Sequence, residues 1–137
     1  MKVIVCVEDR GGMLFNGRRL SRDRLVTLDM LVEAGRERLT IEPFSAKLFR
    51  GNMTSVHPVE NLWEEEGCRG TCLVETSSLK GKEDQIDTLV IYRWNKCYPF
   101  DMALRIDLDR YQLEETCEFP GYSHEKITKE TYRRKEA

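Results

Sequence analysis

The sequence predicts an α/β fold of three layers, in which a mostly parallel sheet ends in a C-terminal antiparallel hairpin. Two observations lead to this prediction. In the first half of the chain, apolar runs of strand length alternate with helical patterns, as in units whose strands are parallel. In the second half, strand-like runs follow one another, which is typical of antiparallel strands. The length of 137 residues suits one domain, so we expect a single domain over residues 1–137.

The first strand and the first helix have clear local signals. KVIVCV is a continuous run of apolar, β-branched residues, and the glycines of EDRGG end it in a turn. Ser21 is a residue type that caps helices, and Gly35 suits the position after the last turn, so we predict a helix over residues 22–34. The apolar face of this helix is predicted from the helical spacing of Leu25, Leu28, Leu31 and Val32.

Shorter elements follow along the chain. RLTIEPF predicts a strand that ends before Pro43, SAKLF a helical turn, and MTSVH a further strand. Pro58 suits the first position of a helix, and we predict one over PVENLWEEEG, closed by Gly67. The later strands are predicted at TCLVE, DTLVIYRW, YQLEETCEF and SHEKITKETYRR. The last of these has the charge content of a helix, but its β-branched residues, which follow the turn FPGY, favour a strand.

Composition narrows the class of function. The 22 basic and 24 acidic residues give a net charge of −2, which provides no overall attraction for nucleic acid, so a nucleic-acid partner is not expected unless a local patch supplies the charge. No apolar run approaches the roughly 18–20 residues that span a bilayer, and the apolar start reaches charged residues too early for a signal peptide. We therefore expect a cytoplasmic protein with no membrane partner.

The five cysteines and two histidines do not form a metal-ligand pattern. Cys68 and Cys72 are separated by three residues instead of the two that are typical of zinc and redox sites. His57 and His124 stand alone, and each suits either an acid–base group near neutral pH or a hydrogen-bonded structural residue. We predict no metal site, no Ser–His–Asp arrangement, no phosphate loop and no nucleic-acid motif.

The most unusual stretch is FNGRRLSRDR, residues 15–24, which places four arginines and one aspartate around the predicted helix start. Arginine side chains suit phosphate or carboxylate, and the unpaired N–H groups of a helix N-terminus attract anions. The same residues also suit a solvated surface, with Asp23 favourable to the helix dipole, and both interpretations stay open. The candidate ligand-binding residues are Asn16, Arg18, Arg19, Arg22 and Arg24.

Two stretches resemble the dihydrofolate reductase family. VIVCVEDRGGMLFNGRR is similar to the family's opening strand and the loop after it. The segment from IDTLVIYRW to KETYRRK is similar to its closing pattern of an apolar strand, a polar stretch and a final hairpin. The resemblance covers most of the chain in order and implies a divergent, shortened dihydrofolate reductase-like domain. It also implies that Asp23 lies near the position of the family's catalytic acid, so Asp23 is the candidate catalytic residue.

The departures from that family concern the cofactor site. Where the family carries paired glycines after an apolar strand, this chain has Glu75 and Thr76, and a carboxylate there would repel pyrophosphate. The family's arginine- and threonine-bearing cofactor segment is reduced to PFSAKLF, which offers only Ser45 and Lys47. We therefore expect no cofactor, and we expect NADPH in particular not to bind.

A second resemblance is excluded by its chemistry. FNGRRLSRDR and SHEKITKE are similar to strings of a small uncharacterised bacterial family whose members are sometimes labelled ribonuclease Z. A zinc-dependent nuclease needs a cluster of histidine and aspartate ligands to hold the metal and activate water. Two isolated histidines cannot build such a cluster, so we reject that name.

Three hypotheses for function remain. The favoured one is a binding module that holds a small anionic or planar ligand through the arginines and Asp23. The second is a reductase that transforms a pterin-like substrate through Asp23, and the third is an adaptor that binds RNA or protein through the arginines. The aromatic residues suit either a planar ligand or the core, and the oligomeric state stays open. These aromatic candidates are Tyr92, Trp94 and Tyr98.

Overall fold

The computed structural model describes residues 1–64 and 70–135, and its main feature is a seven-stranded sheet. In order across the sheet, the strands are β5 (Val56–Pro58), β4 (Leu39–Ile41), β6 (Thr71–Leu73), β1 (Lys2–Val7), β7 (Thr88–Arg93), β10 (Ile127–Arg134) and β9 (Tyr111–Phe119). The strands from β5 to β7 pair in parallel, whereas β10 pairs antiparallel with both β7 and β9. This architecture confirms the predicted α/β class, with a mostly parallel sheet and a C-terminal hairpin.

Both faces of the sheet are covered, because successive side chains of the central strands point to opposite faces. Val3 and Val5 of β1 belong to one buried apolar cluster, and Ile4 belongs to the other. The face with Ile4 packs against α1 (Arg24–Ala34) and a run of 3₁₀ turns (Pro43–Ser55). The opposite face packs against loops and a second, smaller sheet. The helix and the 3₁₀ run therefore lie side by side on one face, where they form the walls of the candidate site.

The smaller sheet has three short strands that the sequence analysis did not predict. β2 (Gly12–Phe15) pairs with both β3 (Arg18–Arg19) and β8 (Met102–Ala103). Asn16 and Gly17 connect β2 to β3 with φ angles of 51° and 71°. This left-handed backbone is what a two-residue hairpin requires, and the Asn-Gly dipeptide is the strongest short signal for one. The hairpin could therefore have been predicted from the sequence.

The helix α1 begins two residues later than predicted. Its N-cap is Asp23 and not Ser21, because the Asp23 carboxylate accepts a hydrogen bond from the backbone N–H of Leu25. The end of the helix is as predicted, at Gly35, whose φ of 68° is easily adopted only by a residue without a side chain. Ser21 is thereby left outside the helix, with its hydroxyl free to bond elsewhere.

The helix also buries a different face from the predicted one. Val26 and Met30 are fully buried, whereas Leu25, Leu28 and Val32 of the predicted apolar face are 40%, 42% and 76% exposed. The prediction was wrong because this helix carries apolar residues on both sides. Helical spacing identifies a face but cannot choose between two such faces.

The predicted second helix is not formed by the described residues. Pro58 ends β5, where it lies opposite Ile41 of β4, and residues 62–64 form a turn and a bend. Proline fits there because β5 is an edge strand, where its missing N–H group removes no ladder hydrogen bond. Gly67, which was predicted to close the helix, lies outside the described residues.

None of the helices in residues 1–64 and 70–135 is long and apolar enough to cross a membrane.

Candidate functional site

Asp23 lies where the start of α1 meets the turn before β10. Its carboxylate accepts hydrogen bonds from the backbone N–H groups of Leu25 (2.9 Å), Tyr122 (3.0 Å) and Ser123 (2.8 Å). The Ser123 hydroxyl lies 3.2 Å from Oδ2, and the His124 ring contacts the same oxygen. These bonds hold the turn against the helix, although the two segments are far apart in the sequence.

The turn can approach Asp23 this closely because residue 121 is a glycine. A Cβ atom at Gly121 would lie 2.5 Å from Oδ2 of Asp23, closer than nonbonded atoms come. The backbone N–H of Gly121 donates to the carbonyl oxygen of His124 at 2.9 Å, which closes the turn. A side chain at position 121 would therefore push the turn away from α1 and lengthen its hydrogen bonds to Asp23.

Asp23 is ionised in the folded protein. Burial alone would raise the pKa of the carboxyl group, but hydrogen bonds from the Tyr122 N–H, the His124 ring and other donors outweigh burial and lower the pKa well below its ordinary value. The Asp23 side chain is 0% exposed. Its carboxylate is thus a buried acceptor, with no oxygen left open to exchange a proton with a ligand.

His124 connects Asp23 to Ser21. Nδ1 of His124 lies 2.9 Å from Oδ2 of Asp23, and Nε2 lies 2.9 Å from Oγ of Ser21. The His124 side chain is 5% exposed, and its ring stacks on that of Trp94. The sequence did not reveal this Ser–His–Asp arrangement, because its members come from two distant segments. Of the two predicted roles for His124, that of a hydrogen-bonded residue is observed, whereas His57 is exposed on β5.

A cavity of about 450 Å³ opens beside Asp23, between the start of α1 and the 3₁₀ run. Among the described residues that line it, three are cationic, and the single carboxylate is that of Asp23, which is already hydrogen-bonded. Tyr122 is 69% exposed and forms an aromatic wall, with the Arg24 guanidinium 4.9 Å from its ring centre. We call this space the basic cavity. Its lining residues are Arg22, Asp23, Arg24, Thr27, Lys47, Leu48, Tyr122 and Ser123.

The five candidate ligand-binding residues separate into three places. Arg22 and Arg24 line the basic cavity. Arg18 lies exposed on β3 and Asn16 in the turn before it, so neither of them lines that cavity. The backbone N–H of Asn16 instead donates to the Asp101 carboxylate at 3.0 Å. Arg19 points into the protein, so the four arginines do not form one surface.

Arg19 forms a bidentate ion pair with Glu75. Its Nε and Nη2 atoms each lie 3.0 Å from a different oxygen of the Glu75 carboxylate, and the two side chains are 19% and 11% exposed. The guanidinium also donates to the carbonyl oxygen of Phe44 at 3.1 Å, and the Ser45 hydroxyl donates to Glu75 at 2.6 Å. Ser45 and Glu75, both noted as departures from the reductase cofactor site, are therefore joined with Arg19 in one internal cluster.

Glu42 binds the backbone after β6 in the way that an external anion would. Its Oε1 atom accepts hydrogen bonds from the backbone N–H groups of Glu75 (2.6 Å) and Thr76 (3.0 Å). The Thr76 hydroxyl donates to the other oxygen of the same carboxylate. Successive N–H groups that point at one oxygen form a backbone nest, which binds anions. Here a carboxylate of the chain itself occupies that nest.

The aromatic candidates contribute to the core more than to the basic cavity. Tyr92 is fully buried, and its hydroxyl donates to the Asp29 carboxylate at 2.6 Å. Trp94 is 4% exposed, and Tyr98 packs against the same apolar cluster. The aromatic side chain that does line the cavity, that of Tyr122, was not among the candidates. The turn FPGY was visible in the sequence, but nothing in it indicated that the turn contacts α1.

Within residues 1–64 and 70–135, no group of three or more His, Cys, Asp or Glu side chains is placed to hold a metal ion. Cys72 is buried in β6, and Cys68, its partner in the GCRGTC motif, lies outside the described residues.

Comparisons with known proteins identify a fold and no family. No protein-family model matches the sequence, and no curated protein sequence is significantly similar to it. Among solved structures, the chain is similar to the dihydrofolate reductase from Enterococcus faecalis complexed with NADP(H) and RAB-propyl. The TM-score is 0.71 and the identity 12%, over 98% of this chain and 96% of that chain. The expected dihydrofolate reductase-like fold is thus confirmed, and nothing supports the ribonuclease Z label.

Proposed function

We propose that the protein binds a small anionic ligand in the basic cavity and does so without NADPH. The observation that carries this proposal is the convergence of Arg22, Arg24 and Lys47 on one cavity of about 450 Å³. That volume lies within the range of cavities that hold small molecules. Cationic side chains at a helix N-terminus are repelled by the positive end of the helix dipole. A bound anion would offset the positive charge of the side chains and of the helix end, so their presence there favours an anion site.

The same cavity suits a ligand with a planar part. Tyr122 is largely exposed at the cavity, and the Arg24 guanidinium covers one part of its ring. An aromatic ring and a guanidinium plane both stack on flat groups, and arginine also pairs with carboxylate or phosphate through two parallel hydrogen bonds. We therefore expect a small aromatic acid to bind better than its neutral amide.

The expectation that NADPH does not bind rests on the backbone after β6. The N–H groups of Glu75 and Thr76 are the donors that could approach a phosphate, and the Glu42 carboxylate already accepts hydrogen bonds from both. A pyrophosphate at this place would have to displace the Glu42 carboxylate from these N–H groups. The Glu75 carboxylate, which was expected to repel pyrophosphate, is instead paired with Arg19 and adds no free negative charge there.

The alternative of a pterin reductase requires Asp23 to deliver a proton or bind substrate. The Asp23 side chain is 0% exposed, and five donors from Leu25, Tyr122, Ser123 and His124 surround its oxygens. A substrate could reach it only by replacing one of those donors. This burial favours a role for Asp23 in holding the site together.

The proposal is tested by titrating the ¹⁵N-labelled protein with 4-hydroxybenzoate and, as the neutral control, with 4-hydroxybenzamide. We expect the acid to shift the amide signals of Thr27, Tyr122 and Ser123, and to bind at least about tenfold more tightly than the amide, a difference of about 1.4 kcal/mol. Arg24→Ala and Lys47→Ala should each weaken binding by about tenfold, because each removes a charge-assisted hydrogen bond. Arg36→Ala, an exposed arginine beyond the other end of α1, is the matched control. Equal binding of acid and amide, or signal changes far from the cavity, would contradict the proposal.

A further inference from the structure

The hydrogen bonds from Ser21 through His124 to Asp23 have the geometry of a serine nucleophile with its base. Oγ of Ser21 and Nε2 of His124 are 2.9 Å apart, and the same distance separates Nδ1 of His124 from Oδ2 of Asp23. Hydrolases on unrelated folds place a serine, a histidine and a buried aspartate in this order, and the arrangement is recognised by geometry and not by sequence position.

The surroundings of Asp23 determine which nitrogen of His124 carries a proton. The Asp23 carboxylate is ionised and can only accept hydrogen bonds, so the proton between the two residues belongs to Nδ1 of His124. In the neutral imidazole, Nε2 is then an acceptor and faces the hydroxyl of Ser21. This is the tautomer that a general base needs, and Asp23 acts as the positioning residue that selects it.

We propose that Ser21 is a nucleophile that hydrolyses small acyl esters, with His124 as its general base. Oγ of Ser21 attacks the carbonyl carbon of the ester while its proton moves to Nε2 of His124. The bond from the carbonyl carbon to the alcohol oxygen then breaks, and the alcohol leaves with that proton. Water attacks the acyl-serine in the same way, which releases the carboxylic acid and restores Ser21.

Beside Ser21, the carbonyl group of the ester would meet backbone N–H donors and a narrow crevice. The backbone N–H groups of Ser21 and Arg22 make no hydrogen bond with any residue in the ranges 1–64 and 70–135, so they are available to the oxyanion. Arg22 adds a positive charge at the same place. The crevice of about 10 Å³ that adjoins Ser21 has room for about one water molecule, so the ester must lie in the adjoining basic cavity and present its carbonyl carbon to Oγ of Ser21.

The leaving alcohol is assigned to the basic cavity, and this part of the inference rests on the proposed function. The crevice and the basic cavity share Arg22, Asp23, Thr27 and Leu48, so they adjoin each other. An ester whose carbonyl carbon lies beside Ser21 would extend its alcohol part toward Arg24 and Lys47. The substrate class is therefore a small ester of an alcohol or phenol that carries an anionic group, and acetyl esters are its simplest members.

The nucleophile is tested with a fluorophosphonate, which transfers its phosphonyl group to an activated serine as fluoride leaves and the serine proton passes to the base. We expect one phosphonyl adduct on the intact protein and its location on Ser21 by peptide mass spectrometry. Ser21→Ala should lose the adduct, whereas Ser55→Ala, an exposed serine in the 3₁₀ run, should keep it. Unchanged thermal unfolding of Ser21→Ala shows that the loss is chemical. An absent adduct, or one that persists in Ser21→Ala, overturns the proposal.

Turnover is tested with 4-acetoxybenzoate and with phenyl acetate as the neutral comparison. We expect hydrolysis of both above the rate of the Ser21→Ala variant, and kcat/KM at least about tenfold higher for the anionic ester. Asp23→Asn should also change the pH profile of the labelling rate, which a purely structural role would not do. An adduct without turnover of either ester overturns the inference.

The two proposals fail in different ways. If 4-hydroxybenzoate binds in the basic cavity but Ser21 takes no phosphonyl group, the serine inference is wrong and the binding site stands. If Ser21 is labelled and both esters are hydrolysed equally, the serine inference stands and the anionic substrate is wrong. Lys47→Ala should remove the preference for 4-acetoxybenzoate over phenyl acetate, which tests the anionic part of the substrate by itself.

Discussion

The ring of Trp94 stacks on the ring of His124, with 4.8 Å between the ring centroids and 26° between the ring planes. Both rings are almost completely buried, and His124 also bonds to Ser21 and Asp23. The indole of Trp94 is therefore in contact with the group that we assign as the base, and its fluorescence can report the state of that group.

We expect the fluorescence of Trp94 to depend on the imidazole ring that stacks on its indole. The Trp63→Phe variant leaves Trp94 as the single tryptophan of the chain. In that background, His124→Gln should change the emission of Trp94, because it removes the stacked ring. An emission spectrum that His124→Gln leaves unchanged would contradict the stacking.

NADPH is expected not to bind at low micromolar concentration, where binding would correspond to about 8 kcal/mol. The reason is that the Glu42 carboxylate already accepts the hydrogen bonds of the N–H groups after β6. The measurement is a titration that follows tryptophan fluorescence, with a dihydrofolate reductase as the positive control. Saturable binding in this range would favour the reductase hypothesis over the binding module.

Two substitutions on α1 test which face of the helix is buried. Met30→Ala is expected to lower the free energy of unfolding by about 2–5 kcal/mol, because Met30 is 1% exposed and its removal leaves a cavity. Leu28→Ala is the matched control and should change stability by no more than about 0.5 kcal/mol, since Leu28 is 42% exposed. Urea unfolding measures the free energy of unfolding of both variants. Similar losses for the two variants would show that the face with Leu28 is covered.

The stability of the protein is expected to fall in acid. The pKa of Asp23 lies below its ordinary value of 3.8 in the folded state, so the unfolded chain binds more protons than the native state as the pH falls through about 4. The contribution of Asp23 is complete above about pH 5 and is lost as the pH falls toward the folded pKa. The lowered pKa values of Glu8 and Glu33 act in the same direction.

Asp23→Asn tests this contribution by urea unfolding at several pH values. The variant should be about 2–3 kcal/mol less stable at pH 7, because buried donors lose their charged acceptor. Its stability should also depend less on pH between about 5 and 2 than that of the unchanged protein. Asp109→Asn, an exposed aspartate, serves as the control and should reproduce the unchanged pH dependence. The same acid slope in Asp23→Asn would mean that other carboxylates account for it.

The sequence alone determined the main strands and the fold class. KVIVCV, DTLVIYRW and the closing hairpin carry apolar or β-branched runs of strand length, and each forms a strand close to its predicted position. Such patterns are local, since a strand in a sheet needs apolar side chains at every buried position whatever its partners are. The Asn16–Gly17 hairpin was equally predictable, because the dipeptide itself favours the left-handed backbone of that turn.

Which residues come together in the candidate site was decided by the tertiary structure alone. The buried face of α1 depends on which side meets the sheet, and a helix with apolar residues on both sides does not specify this. Ser21 and Asp23 are separated from His124 by about a hundred residues, and they meet because β10 enters the sheet beside β7, which brings the preceding turn to the start of α1. Hydrogen bonds between such distant residues leave no periodic trace in the sequence. The strands could be predicted because their signals are local, whereas the Ser21–His124–Asp23 arrangement exists only once the sheet order places its parts together.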